Sequence, residues 1–154
     1  MIRVGVISDT HGLLRPQAMA ALGGSDYIVH GGDIGNADIL AELAAIAPLT
    51  VVRGNNDRGA WAQAVPHTAR LQAGAVCIYA LHEIASLDID PQAAGVHIVI
   101  YGHSHKPLVQ QRGPVLFLNP GSAGPRRFKL PISVARLEID GTEIRASIVE
   151  LDID

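Results

Sequence analysis

The stretch Ile2-Arg3-Val4-Gly5-Val6-Ile7, running into Ser8-Asp9-Thr10-His11-Gly12, decides how the rest of the chain is read. Its first half is a short apolar run, long enough for one strand buried on both faces. Its second half is small and polar, so the strand stops there and a loop begins. The same event recurs twice. Tyr27 to His30 runs into Gly31-Gly32-Asp33, and Leu49 to Val52 runs into Gly54-Asn55-Asn56-Asp57. Two helical stretches lie between these strands. Pro16 to Leu22 has proline where a first turn accepts it, and Gly23-Gly24 stops it. Asn36 can cap the second, whose Ile39, Leu40, Leu43 and Ile46 share a face before Pro48. A βαβαβ opening of this kind predicts three parallel strands joined by right-handed crossovers.

The second half changes character. Thr68 to Leu71 and Val76 to Leu81 flank Gly74 as a hairpin, and Pro91 to Ala94 is at most a short helix. Ile98 to Tyr101 is another buried strand, closed by Gly102-His103-Ser104-His105. Strands follow at Leu108–Gln111, Val115–Leu118, Ile132–Ile139 and Glu143–Leu151. Tight turns at Arg112-Gly113-Pro114 and Asp140-Gly141-Thr142 predict an antiparallel meander there. With no repeat or linker in sight, residues 1–154 read as a single domain. A mostly parallel half leading into an antiparallel half predicts an α/β fold (mixed α+β), two sheets face to face between helices.

Composition narrows the function. Of 154 residues 48% are hydrophobic and 18% charged, which supports one buried core and excludes disorder. A net charge of −3 leaves no basic surplus to neutralise a phosphate backbone, so long nucleic acids are a poor match. One Trp, three Tyr and two Phe are too few for a base-stacking platform. Cys77 is the one cysteine, in an apolar stretch, which fits a reducing cytoplasm. The longest apolar run, Ala75 to Leu81, falls far short of the ~20 residues of a membrane span. The first strand begins at Ile2, so no signal peptide is expected.

Five strands end in loops of one flavour: Asp9 and His11, then Asp33, then Asn55, then His82, then His103 and His105. Ligands of open α/β sheets gather outside the carboxyl ends of the strands, so these loops can converge. Singly, each residue has an ordinary explanation. Asp after a strand is often a helix cap, Gly54-Asn55 is a turn signal, and a strand-end His is often a hydrogen-bonded core residue. Jointly they form an inventory of oxygen and nitrogen donors without thiolate, which suits Mn²⁺, Fe²⁺, Zn²⁺ or Mg²⁺. His30, His67 and His97 fit no such position and read as structural or surface residues.

Taken in order, Asp9-Thr10-His11, Gly32-Asp33, Gly54-Asn55, His82 and Gly102-His103-Ser104-His105 resemble the five motifs of the calcineurin-like metallophosphoesterase superfamily. The segment Asn119-Pro120-Gly121-Ser122, followed by Pro125-Arg126, resembles its small bacterial and archaeal phosphodiesterase branch. The resemblance implies a four-layer αββα sandwich with two adjacent divalent ions, Mn²⁺ first among Mg²⁺, Zn²⁺, Fe²⁺ and Ni²⁺. It implies that Asp9, His11, Asp33 and His105 hold one ion, and that Asp33, Asn55, His82 and His103 hold the other. A bridging hydroxide would then attack phosphorus in line, on a small phosphodiester or a short nucleic-acid end.

Two departures qualify the likeness. The family commonly has His before the Asp of its third motif, as phosphate binder or leaving-group acid. Asn56 stands there, able to donate a hydrogen bond but not a proton, with Asp57 retained beside it. The usual His-Gly-His motif is reduced to His82-Glu83-Ile84. Asn56 and Asp57 are therefore the candidate catalytic residues, and Asn56 with Arg126 the candidate substrate contacts. The reading is a cytoplasmic phosphodiesterase, and the alternative is a protein-binding scaffold that keeps the fold without turnover. Edge strands in the second half leave homo-oligomers open.

Overall fold

In a computed structural model, which describes residues 1–153, the apolar runs become ten strands. They are β1 (Ile2–Ile7), β2 (Tyr27–His30), β3 (Leu49–Val51), β4 (Thr68–Ala73), β5 (Val76–Leu81), β6 (Ile98–Ile100), β7 (Leu108–Arg112), β8 (Val115–Asn119), β9 (Ser133–Asp140) and β10 (Glu143–Glu150). The helices are α1 (Pro16–Leu22), α2 (Ala37–Ala44) and a single turn, α3 (Ala60–Gln63), which the sequence reading did not anticipate. Strand orders are β10-β9-β1-β2-β3 and β4-β5-β6-β8-β7, two mixed five-stranded sheets.

Side-chain alternation shows why the sheets stack. Along β5, Val76, Ile78 and Ala80 face the other sheet, while Cys77, Tyr79 and Leu81 face outward under a second apolar layer. From the first sheet, Val4, Val6, Val29, Ala135, Leu137 and Ile139 meet them. Burying each such aliphatic side chain stabilises the fold by roughly 1.5–3 kcal/mol, so the shared inner layer is the main source of cohesion. Outside the first sheet, α1 and α2 deliver Ala18, Leu22, Ile39 and Leu43 against Ile7 and Ile28. Outside the second sheet the expected helical layer is thin. Ile84, Leu87, Ile89 and Ala94 cover it from a 3-10 turn (Ile84–Ser86) and irregular chain. Pro91 to Ala94 is a turn rather than a helix.

The three opening strands are parallel, as expected. The meander is not present. β7 and β8 form a hairpin in the second sheet, where β8 also pairs parallel with β6, whereas β9 and β10 return to the first sheet beside β1. The physical reason lies in burial. Val115–Asn119 is buried throughout and needs an interior place, while Leu108–Arg112 is exposed throughout and takes the edge. This topology puts the carboxyl ends of β1, β2 and β3 next to those of β5 and β6.

Candidate metal centre

The loops after β1 and β2 are tied together by backbone. Asp9 N–H donates to the Gly32 carbonyl at 2.9 Å, His11 N–H to Asp33 at 2.9 Å, and Gly12 N–H to Ile34 at 2.8 Å. Gly102 N–H donates to the His82 carbonyl at 2.9 Å, joining the loops after β5 and β6. Within them Asp9, His11, Asp33, His103 and His105 adopt left-handed backbone, with φ between 46° and 72°. Only Phe128 shares this among the other described non-glycine residues. Such conformations cost on the order of 1–3 kcal/mol each and concentrate where a side chain must be aimed. Close approach does the rest. A Cβ at Gly54 would strike Asp33, and one at Gly102 would strike Ser8 and Asp9, so neither loop tolerates a side chain.

The aimed atoms converge. His11 Nε2 and His105 Nε2 face each other at 3.3 Å; Asp9 Oδ1 lies 3.3 Å from His105 Nε2 and 3.6 Å from His11 Nε2. Asp33 Oδ2 lies 3.6 Å from His11 Nε2 and 3.3 Å from His82 Nε2, between the two groups. Donor atoms about 2.1 Å from one ion stand roughly 3.0–3.4 Å apart, so this spacing fits shared coordination. At the outer end, His103 Nδ1 approaches Asn55 Oδ1 at 3.3 Å, and its ring meets that of His82 edge-on at 5.3 Å. All seven expected ligand positions therefore lie in one patch. Five of them are tightly drawn together, and Asn55 and His103 form its open rim.

Hydrogen bonds leave the right atoms free. Asp9 Oδ2 accepts from Ser8 Oγ at 2.6 Å and from His103 N–H at 3.1 Å, while Asp9 Oδ1 is buried without a hydrogen-bond partner. His82 Nδ1 donates to the Gly31 carbonyl at 2.7 Å, which fixes the tautomer and turns a lone pair on Nε2 inward. That Nε2 too is buried without a hydrogen bond, although Asp33 is near. A buried orphan carboxylate oxygen is costly unless something positive satisfies it. Among the described residues only imidazoles pair with Asp9 and Asp33. Burial opposes ionisation of Asp9, but His105, His11 and Ser8 outweigh it and hold its pKa well below the usual carboxylate range. Asp33 is likewise lowered, with burial overcome by the His82 hydrogen bond and the Asn56 N–H. Burial opposes charging of His82, and Asp33 more than reverses this, so its pKa is raised. Two ionised carboxylates and four imidazoles make a donor set that a divalent cation satisfies.

Asn56 donates its N–H to Asp33 Oδ1 at 2.8 Å and its side-chain amide to Asp33 Oδ2 at 3.0 Å. Asp57 is 2% exposed, and its carboxylate accepts from the N–H groups of Ile34, Gly35 and Gly54 at 2.8, 3.1 and 2.8 Å. It thus ties the loop after β3 to the loop after β2. Arg126 is exposed on the loop that leaves Gly124. A supporting layer lies behind the donors, built from His30, read from sequence as structural or surface, and from the Asn119–Ser122 segment, whose bracing role the sequence did not show. His30 accepts from Gly32 N–H at Nδ1 (3.0 Å), so its Nε2 donates to Thr10 Oγ1 (3.0 Å), which in turn donates to the Ile34 carbonyl. Asn119 donates to the Gly102 carbonyl at 3.0 Å, and Ser122 Oγ to the Asp9 carbonyl at 2.9 Å, so the Asn-Pro-Gly-Ser segment braces both metal loops. The signal for this layer was polarity at buried strand ends.

Residues 2–142 match the family model described as calcineurin-like phosphoesterase superfamily domain. The chain belongs to this superfamily. A relative described as a probable metallophosphoesterase, from Methanothermobacter thermautotrophicus, is 33% identical, covering 95% of this chain and 91% of its own. The structure of an archaeal phosphodiesterase superposes with a TM-score of 0.78 at 20% identity, over 96% of this chain and all (100%) of that one. Vps29 from Entamoeba histolytica, complexed with zinc, gives a TM-score of 0.75 at 24% identity, over 98% of this chain and 100% of that one. Membership of this superfamily implies divalent metal ions, and the convergent donors are the candidate residues to hold them. No helix among the described residues is long and apolar enough to cross a membrane.

Proposed function

We propose that the protein is a dinuclear phosphodiesterase, with Asp33 shared between two metal positions. The observation that carries this reading is the place of Asp33 Oδ2, 3.6 Å from His11 Nε2 and 3.3 Å from His82 Nε2. Asp9, His11 and His105 complete one position, and Asn55, His82 and His103 the other. Divalent ions bound there supply Lewis-acid neutralisation of phosphoryl charge and activation of water. The chain's own residues supply aim and order. Asn56 holds both oxygens of Asp33, and Asp57 holds the loop that presents Asn55 and Asn56. Mn²⁺ is the first ion to test, on the oxygen and nitrogen donor set, and the cytoplasm is the compartment that a single free Cys77 fits.

The absence of an imidazole at position 56 supports a preference among substrates. No proton donor stands there, so diesters with good leaving groups are preferred, and the rate falls steeply as leaving-group pKa rises. Installing Asn56→His flattens that dependence; identical slopes for the two proteins would move the acid elsewhere. Arg126 is the proposed phosphate contact, read out as a higher KM in Arg126→Ala. The deciding experiment measures metal per chain and turnover of a diester panel with Mn²⁺. Two ions with turnover support the reading. Two ions without turnover on any diester would support the scaffold alternative, for which Vps29 supplies a neighbour of the same fold.

A further inference from the structure

On the side of Asn55 and His82, the candidate centre opens directly into a cavity of 420 Å³. Both residues are part of its wall, so it is continuous with the metal-ligating patch. Two smaller cavities lie elsewhere, one of 260 Å³ between β1, β9 and the turn after α1, the other of 240 Å³ between Met1, β9 and β10. Sites for small molecules typically occupy about 300–1,000 Å³, and the cavity at the centre falls in that range.

Its lining narrows the ligand. Arg53 supplies one positive charge and Glu83 and Asp88 two negative ones, a formal net of −1 with His67 and His82 both counted neutral. A second phosphate placed against Glu83 and Asp88 would meet repulsion from them. Thr68 and Ser86 bring hydroxyls, both on the exposed rim. The two carboxylates accept hydrogen bonds from hydroxyl groups, and the guanidinium and hydroxyls donate them. No Phe, Tyr or Trp is among the lining residues, and the rings on the wall are the small imidazoles of His67 and His82. Glu83 marks the junction, since its Oε1 is also 3.7 Å from His103 Nε2.

We propose that this cavity seats one ester arm of the substrate, and that the arm is neutral and rich in hydroxyl groups, a sugar or polyol. The proposal rests on the phosphodiesterase reading, since it needs a phosphorus bound at the neighbouring centre. Carboxylates and hydroxyls on its wall then discriminate between arms that differ only in hydroxyl content.

The test compares p-nitrophenyl phosphodiesters whose second arm is methyl, glyceryl or phosphoglyceryl, with Mn²⁺. Glyceryl is expected to exceed methyl in kcat/KM by about tenfold, the worth of one or two new hydrogen bonds, and phosphoglyceryl to fall below glyceryl. Ser86→Trp, filling the cavity from its exposed rim, brings the glyceryl-to-methyl ratio close to one. A readout without turnover accompanies it. Methyl riboside titrated into metal-free protein shifts the amide resonances of Thr68 and Ser86, and Ser86→Trp loses the Thr68 shift. Equal kcat/KM for glyceryl and methyl, or an unchanged ratio in Ser86→Trp, would overturn the proposal. If no diester is turned over, the phosphodiesterase reading fails, and the riboside titration alone decides whether the cavity takes a polyol.

Discussion

At the residue scale, the two buried carboxylates have different tasks. Asp9 directs one oxygen to two imidazoles, whereas Asp33 stands between two groups of donors. Asp33→Asn should therefore remove more bound metal than His103→Ala, because an amide bridges two cations poorly and His103 is at the rim. Elemental analysis of both proteins checks this; equal and full occupancy in both would contradict the shared carboxylate. His30 predicts a pH effect on stability. It is fully buried, and burial pushes its pKa down to about 4 from an ordinary 6.5. Above pH 6.5 it is neutral folded and unfolded, and its contribution is complete. As pH falls from 6.5 towards 4 only the unfolded chain takes up the proton, and stability is lost, in total about 3 kcal/mol. The lowered Asp9 and Asp33 act below their ordinary value of 3.8, outside this window. Denaturant unfolding across pH 6.5 to 4 should show this fall in the natural protein and a clearly flatter course in His30→Gln.

At the element scale, loops rather than strands carry the precision. Gly54→Ala places a methyl on Asp33, so metal binding should be lost along with stability. Gly113→Ala is the contrast. Its φ is +57°, but nothing lies within 4 Å of a Cβ there, so it costs only the roughly 1–2 kcal/mol of left-handed strain and keeps full metal occupancy. Elemental analysis beside thermal melts separates the two effects. What was legible in the sequence divides along the same line. Apolar runs ending in Asp, Asn or His revealed strands β1, β2, β5 and β6, the half-buried β3 beside them, and the candidate ligands at their ends, because burial on both faces leaves a plain pattern in most of them. Pairing partners were not legible where hairpins are local but sheet membership is not. β9 alternates like any half-buried strand, and nothing in Ser133–Asp140 says that its neighbour is β1, more than a hundred residues away. Nor could polarity alone separate Asp57, which secures three N–H groups, from a residue that faces substrate.

At the scale of the whole molecule, the centre lies on the seam between the two sheets. Asp9, His11, Asp33 and Asn55 come from loops of the first sheet, and His82, His103 and His105 from the second. A cation bound there would therefore join the sheets at one end, adding to the apolar layer that joins them along their length. The unfolded chain scatters these candidate ligands from position 9 to position 105, so it would have little affinity to offset the effect. Under those conditions a ligand stabilises the folded state by RT ln(1 + [L]/Kd), about 2.7 kcal/mol at a hundredfold excess over Kd. For a domain of this size each kcal/mol moves Tm by roughly 2–4 °C, so saturating Mn²⁺ should raise it by about 5–10 °C. A chelator should reverse the shift, and Asp33→Asn should show little of it. The same melt read at both sheets gives a sharper test. With the fluorescence of Trp61, packed beside the helices, as one probe and the amide resonances of β5 on the far sheet as the other, metal should raise both transitions together. If Mn²⁺ stabilised only the first sheet, the second sheet's histidines would not be holding metal, and the seam would be held by apolar packing alone.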